Sequence, residues 1–472
     1  MLLTLGLSAG VARSSQAQTA DSAVVKATPS PVYLPLRYEE DYAYLHDPAR
    51  RTAALDGLKF IGLNSSATRY LTLGGEVRLR YQYYRNENWG LGSARDNSNM
   101  LQRYMLHADL HLGPYVRLFG QLKSSWQNGR TGGPGPLDED RLAVGQAFAD
   151  AVLPLRHDGS LTVRAGRQEL YYGNGKLVEP REGPNIRLSF DAVRLLLRLQ
   201  QWRVDGFVAQ PVFNFPGLND DRRNRQQTFW GLYTTGPLSR LIGGASLDVY
   251  YIGLHNDQIA YAKGAGPETR HTLGFRLAGR RQGWDYDTEN FYQLGSFAGG
   301  SVRAWALTGD VGYTYTLRWG RRTGRFSLGV AVSSGDRGHS ETTLRTMNPL
   351  YPTGYYFGPP ATFLGPSNTI GLRPTVTLKP NQALTLAFSG NLLWRTSPHD
   401  GLYTPAATLL LTGQTSDSRY VGAQGSLVGF YQVQRHLTLS LLAAYFRTGR
   451  LLEAITPGRD VAYVSPGITF VF

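Results

Sequence analysis

The feature that most constrains this chain is a hydrophobic period of two. It is clearest in the final stretch, RDVAYVSPGITFVF, residues 459–472. Ala462, Val464, Pro466, Ile468, Phe470 and Phe472 fall on one face, and Tyr463, Ser465, Gly467, Thr469 and Val471 on the other. One face in an apolar setting and the other in a mixed one describes a strand rather than a helix. An apolar strand ending on an aromatic residue is poorly suited to water, where chain ends fray. It suits a membrane barrel, whose last strand pairs with its first and so removes both edges. An ordinary β-sandwich ending in a strand is the competing reading of this segment alone.

The same period recurs upstream. In YLTLGGEVRLRYQYY, Leu71, Leu73, Val77, Leu79, Tyr81 and Tyr83 share one face, opposite Thr72, Glu76, Arg78, Arg80 and Gln82. QRYMLHADLHLG sets Tyr104, Leu106, Ala108, Leu110 and Leu112 against Arg103, His107, Asp109 and His111. YVRLFGQLKSSW sets Val116, Leu118 and Leu122 against Arg117, Gln121 and Lys123, and DAVRLLLRL with QWRVDGFVAQ repeats the scheme through Arg194, Arg198, Arg203 and Asp205. Continued to the end, the pattern predicts an all-β, transmembrane antiparallel barrel of about eighteen strands over residues 70–472. Long connections fall near 85–100, 127–143, 171–189, 213–227, 254–269, 336–364 and 396–417. Short ones fall near 114, 156–159, 201, 281–282, 379–382 and 431–435. That alternation matches long outer loops and short periplasmic turns; the brief connection near 297–301 breaks it. A propeller would need a repeated blade signature, which is absent.

Composition agrees. Only 42% of the 472 residues are hydrophobic, with 55 glycines and 28 tyrosines, which suits alternating strands, tight turns and interfacial girdles. After the first residues, no apolar run is long enough to cross a bilayer as a helix. The absence of cysteine excludes disulfides and thiol chemistry. A net charge of +14 would fit nucleic acid if the cations were clustered. They are instead scattered through the β-period segments, so nucleic acid is not expected as a partner. Residues 1–17 read as a secretory signal cleaved after Ala17, although a basic n-region is missing. Residues 18–69 read as a linker with Pro29, Pro31 and Pro35, followed by a periplasmic segment in which Asp47-Pro48 caps a helical turn.

Charge on barrel strands has to face the lumen or the rims. On the five strands quoted, about eight Lys or Arg oppose about three Asp or Glu, while the lipid face carries none. A basic lumen concentrates anions; wall arginines that merely pair with acids to fix barrel shape are the alternative. Residues 164–194 form the densest basic segment, with Arg164, Arg167, Lys176, Arg181, Arg187 and Arg194 among Glu169, Glu179 and Glu182. The loop at 171–189 could fold into the pore, pairing with Arg194 and Asp191 at its exit, or remain a solvated outer loop; weighing the two favours infolding. Asp138, Glu139 and Asp140 offer oxygens that suit Ca²⁺, but the spacing of a calcium loop is absent and a solvated loop is preferred. His107 and His111 lie on one face and read as polar wall residues. No nucleophile elbow, zinc-protease motif or phosphate-binding loop is present, so no enzyme, cofactor or metal site is expected.

Several stretches in order carry a family resemblance: RYEEDYAYLHDPARRTAALDGLKFI, YLTLGGEVRLRYQYY, LHADLHLGPYVRLFGQLKSS, GPLDEDRLAVGQAFADAVLPL and LTVRAGRQELYYGNGKLVEPREGPNIRLSFDAVRL. The chain resembles the alginate-export family of outer-membrane porins over residues 36–235, and beyond that through strand pattern. The resemblance implies a bacterial outer-membrane barrel with an arginine-lined pore. It implies pore lining at Arg78, Arg80, Arg103, Lys123, Arg130, Arg164, Arg167, Arg181, Arg187 and Arg194. The expected partners are outer-membrane lipid and an anionic oligo- or polysaccharide, alginate-like or otherwise, or small anions. The alternatives are a general diffusion porin without anion bias and an outer-membrane enzyme or adhesin acting through its loops.

Overall fold

The computed structural model describes residues 33–91, 95–238, 244–317, 322–338, 342–361, 363–413 and 415–472. The expected signal segment and the linker prolines at 29 and 31 lie outside the described residues.

Twenty strands share one sheet; two of these are two-residue pieces, Ile61–Gly62 and Arg222–Arg223, and the other eighteen form a closed antiparallel barrel. In chain order the first nine are β1 Arg69–Arg85, β2 Asp96–Leu112, β3 Val116–Asn128, β4 Asp140–Pro154, β5 Ser160–Gln168, β6 Phe190–Leu199, β7 Trp202–Phe213, β8 Gln227–Pro237 and β9 Ala245–Tyr261. The remainder are β10 Gly264–Arg281, β11 Trp284–Phe297, β12 Gly300–Thr316, β13 Thr323–Ser333, β14 Thr369–Lys379, β15 Leu384–Arg395, β16 Tyr420–Gln434, β17 Leu437–Thr448 and β18 Val461–Val471. Each strand pairs with its sequence neighbours. The ring closes through Glu76↔Val471 to Arg85↔Ala462, and Gly75 and Phe472 exchange backbone hydrogen bonds at 2.8 and 3.0 Å.

Alternation decides the faces. Outward positions such as Leu106, Leu118, Leu122, Val193, Leu195, Leu307 and Val311 are exposed apolar side chains, whereas Arg78, Arg103, His107, Lys123, Arg164 and Arg194 between them are buried. A surface of this kind is stable only in hydrocarbon. Aromatic residues mark its borders, with Tyr115, Trp202, Trp284 and Tyr313 at the short-turn end and Tyr83, Trp126, Tyr292 and Tyr445 toward the other. No helix among the described residues is long and apolar enough to span a membrane.

One predicted connection is corrected. The segment 254–269 is not a long loop: β9 and β10 run on past the membrane to a hairpin of two residues, 262–263, with a bulge between Asn256 and Ile259. Above the bilayer the outward face need not be apolar, so the sequence alternation fades while the hydrogen-bond ladder continues. The connection between Phe297 and Gly300 is likewise a tight outer turn. Before β1, Asp47 caps the short turn Pro48–Arg50 by accepting from the Ala49 N–H at 3.0 Å, and Asp56–Lys59 forms one helical turn.

Candidate channel and its infolded loops

Residues 169–189, between β5 and β6, lie inside the barrel. Their hairpin turns at Gly173 and Gly175, both at positive φ, and is closed by the Tyr172↔Val178 bridge. The returning limb crosses to the wall at β1 and β2. Arg78 donates to the carbonyls of Glu182 and Pro184 at 2.8 and 2.6 Å, and Arg80 donates to that of Gly183 at 2.7 Å. Arg103 pairs with both Glu182 and Glu76, and Arg187 with Glu169 and Glu182. The Asn185 amide donates to the carbonyls of Gln102, Trp126 and Asp138. The returning limb is thus fixed by backbone acceptors as well as by ion pairs.

A second insertion, between β13 and β14, runs beside the first. Tyr351 N–H donates to the Leu177 carbonyl, Glu179 N–H to that of Tyr351 and Thr353 N–H to that of Gly175, at 2.9, 2.9 and 3.0 Å. Gly183 lies beneath the Tyr355 ring, where an added Cβ would come within 2.7 Å of it. Around this pair the lumen holds an apolar core of Tyr172, Phe190, Phe207, Phe229, Tyr233, Tyr250 and Tyr351, with Tyr172, Tyr233 and Tyr250 stacked at centroid distances of 4.8 and 5.3 Å. From the short-turn end, residues 33–60 enter the mouth. Leu36 and Tyr38 pack on Phe119 and Phe148, Arg37 donates to the carbonyls of Gly75 and Phe472, Tyr33 bonds His436, and Asp56 pairs with Arg435.

Open volume remains on the opposite side. A cavity of about 30 Å³ lies between the paired loops and β12–β15, bordered by Lys176, Tyr356, Arg373 and Asn391. Gly329, Ala331 and Gly371 on the facing wall leave that room. Wall strands beyond it present short neutral side chains, including Thr375, Ser389 and Ser426, on the inner face. Burial lowers the Lys176 ammonium below its ordinary pKa and Arg373 acts in the same direction, while Asp287, Glu289 and Asp310 oppose them. Burial pushes the Glu179 carboxyl up to about 7, against the Arg187 charge and the Arg181 N–H that favour its ionised form.

Compared with known protein families, the chain matches the family described as Alginate export over residues 69–463. The chain belongs to the alginate export family. No curated protein matches it. Among solved structures, a BenF-like porin from Pseudomonas fluorescens Pf-5 superposes with a TM-score of 0.57 at 11% identity, over 85% of this chain and 98% of that one. Pseudomonas aeruginosa OccK9 (OpdG) gives 0.56 at 13% identity, over 85% and 98%. OccK11 (OpdR) of the same organism gives 0.54 at 15% identity, over 85% and 96%. At these identities the likeness shows the fold, a porin-type barrel. Family and fold are those of channels and point to the outer membrane.

Within this alginate-export barrel, the residues singled out from sequence fall into two groups. Most of the cations already have carboxylate partners: Arg78, Arg103 and Arg187 share Glu182, and Lys123 pairs with Asp140 and Asp221. Arg130 pairs with Glu87, Arg164 with Asp150, Arg167 with Asp191, and Arg194 with Asp205. The expected exit partners of the loop, Arg194 and Asp191, are therefore occupied by other wall residues, and Glu182 reaches Arg78 and Arg103 instead. The second group is Lys176, Arg181 and Arg80. Among the described residues, no carboxylate lies within ion-pair distance of Lys176, Arg181 or Arg80, and the Arg80 guanidinium donates to the Gly183 carbonyl and the Tyr355 hydroxyl. Asp138 accepts from the Gly135 N–H and lies beside Arg130, and no group of acids or histidines suited to a metal occurs among the described residues. The pore-lining residues expected from sequence end at Arg194 and leave out the charges of β9–β14: Arg276 with Asp248 and Asp287, Arg325 with Asp285 and Asp310, and Arg373 at the cavity. The period-two placement of Arg270, Arg276 and Asp285 was the available signal.

Proposed function

We propose that this protein is an outer-membrane channel for an anionic solute, selected at the infolded loop between β5 and β6. The observation that carries the reading is the pair of cations, Lys176 and Arg181, held inside the lumen without an ion-paired carboxylate among the described residues. A cation with no carboxylate at ion-pair distance favours an anion passing beside it, and a few such sites in series attract a solute without trapping it. Arg80 on the wall adds a third such group. Guanidinium and ammonium groups facing short hydroxyl side chains suit a solute bearing both carboxylates and hydroxyls, so a uronate or its oligomer is the favoured class. Passage is transport, with no catalytic step. A polymer would need the two loops to withdraw, since together they occupy much of the lumen.

A general diffusion pore without anion bias is the second reading. It is favoured by the ion pairing of the other predicted cations, which leaves little free positive charge along the wall. Reversal potentials in a salt gradient across planar bilayers separate the two. The first reading expects anion preference that falls by several-fold in Lys176→Ala/Arg181→Ala and fades at high salt. Equal permeabilities in the parent protein would leave only the general pore.

A further inference from the structure

The connection between β7 and β8, residues 214–226, does not rise straight from the barrel. It pairs along the edge that β4 leaves free beyond its ladder with β5, where Leu218 and Leu142 form a parallel bridge and the Asn219 N–H donates to the Leu142 carbonyl at 2.7 Å. Leu142 lies at the outer end of β4 on its lipid-facing side and is 42% exposed. The loop is shaped by its own acids: Asp220 accepts from the Gly217 N–H, and Asp221 from the Phe215 N–H and the Asn214 amide. Asp221 is further turned inward onto Lys123 at 3.0 Å. With those carboxylates engaged, the outward surface is apolar and cationic. Leu218 is 70% exposed and Phe215 41%. The Arg222 guanidinium lies 5.8 Å from the Phe215 ring centroid, and that of Arg141 lies 5.6 Å from the Trp126 ring on neighbouring β3. Arg222 and Arg225 are exposed and have no ion-paired carboxylate among the described residues; Arg141 has Glu139 at 3.1 Å.

An exposed leucine beside exposed phenylalanine, at the level where Trp126 marks the membrane border, is unfavourable in water and favourable among acyl chains. The Arg222 guanidinium beside the Phe215 ring can turn an N–H edge to phosphate for bidentate contact, and Arg141, whose Nε is given to Glu139, has its terminal N–H groups for the same purpose. We propose that this rim, Arg141, Arg222 and Arg225 around Trp126, Phe215 and Leu218, binds the phosphate groups of an outer-leaflet glycolipid. Charge complementarity selects the phosphate, and the apolar tip selects a lipid over a soluble anion. The site lies outside the lumen and depends on the outer-membrane setting, not on which solute the channel carries.

The test is retention of a diphosphorylated glycolipid by the detergent-purified full chain, read by native mass spectrometry against its dephosphorylated form and phosphatidylethanolamine. The parent is expected to retain the phosphorylated form preferentially. Arg141→Ala/Arg222→Ala/Arg225→Ala, checked for heat-modifiable migration, is expected to lose that preference by about tenfold or more. Leu218→Ser should weaken retention of the glycolipid while leaving the phosphate preference in place. Equal retention of the two glycolipid forms by the parent overturns the proposal without any variant. So does an assembled triple variant that retains glycolipid like the parent. Displacement of the lipid by millimolar inorganic phosphate would show that the phosphate alone is recognised, and would overturn the lipid assignment.

Discussion

Three guanidiniums, those of Arg78, Arg103 and Arg187, converge on the carboxylate of Glu182. All four side chains are nearly inaccessible to water, so deleting the one acid leaves buried positive charge that Glu76 and Glu169 only partly offset. Loss of one partner from a buried ion pair costs about 3–5 kcal/mol. Glu182→Ala is therefore expected to detach the loop while the barrel closes as before, because β5 and β6 keep their ladder from Ser160↔Arg198 to Gln168↔Phe190. Limited proteolysis should then cut between residues 174 and 188 in the variant and spare the parent; a loop equally protected in both would refute the anchoring role. The inward direction of Arg78 and Arg103 was legible from alternation alone. Their partner was not, since it lies about a hundred residues away on a loop without periodicity. The partners expected for the loop were wrong for a local reason. Arg167 and Asp191 are register partners across β5 and β6, and Arg194 meets Asp205 from the next strand. The ladder brings such neighbours together with no loop to close, so they pair first.

Residues 33–60 act as one element. From sequence it reads as the end of a proline-bearing linker and a periplasmic segment with a capped helical turn; what fixes it in the barrel mouth is a set of aromatic and ionic anchors that the barrel interior supplies. Tyr38 hydroxyl donates to the Glu169 carbonyl while Arg117 and Arg187 donate to the Tyr38 and Pro35 carbonyls. The segment thereby touches both the wall and the base of the selecting loop. Removing residues 33–60 is expected to raise single-channel conductance several-fold and leave heat-modifiable migration unchanged, as the ring of β1–β18 does not pass through it. Unchanged conductance would mean that current does not pass the mouth it fills. Element existence was thus readable where the outward face must be apolar. Above the membrane, in β9 and β10, and inside the lumen, in the two insertions and this segment, that requirement lapses and tertiary partners decide.

At the scale of the whole molecule, the two inserted bodies carry buried groups of opposite pH response. Glu179, on the selecting loop, is raised from 4.5 to about 7 by burial, with Arg187, Arg181 and Glu169 around it. A carboxyl whose pKa is raised in the docked state contributes stability that is fully present below 4.5 and is lost as pH rises through about 7. Across that window the docking of the loop weakens by about 3 kcal/mol. Lys59, on the segment in the mouth, is lowered from 10.5 to about 7 by burial and by Arg37, against Glu40 and Asp56. Its ammonium donates to the Leu73 carbonyl and lies near the rings of Tyr33 and Tyr42. A depressed lysine contributes in the reverse sense: the stability is fully present above 10.5 and is lost as pH falls through about 7. The loop is held best in acid and the mouth segment in alkali, and the combined docking is weakest near neutrality. Conductance in planar bilayers should therefore rise from pH 5 to a maximum near 7 and fall toward pH 10. Glu179→Gln should flatten the acid limb alone, because its neutral amide keeps the loop's preferred charge state at every pH. Lys59→Met should flatten the alkaline limb alone. A monotonic profile in the parent, or a variant that alters both limbs together, would show that the two bodies do not gate the lumen independently.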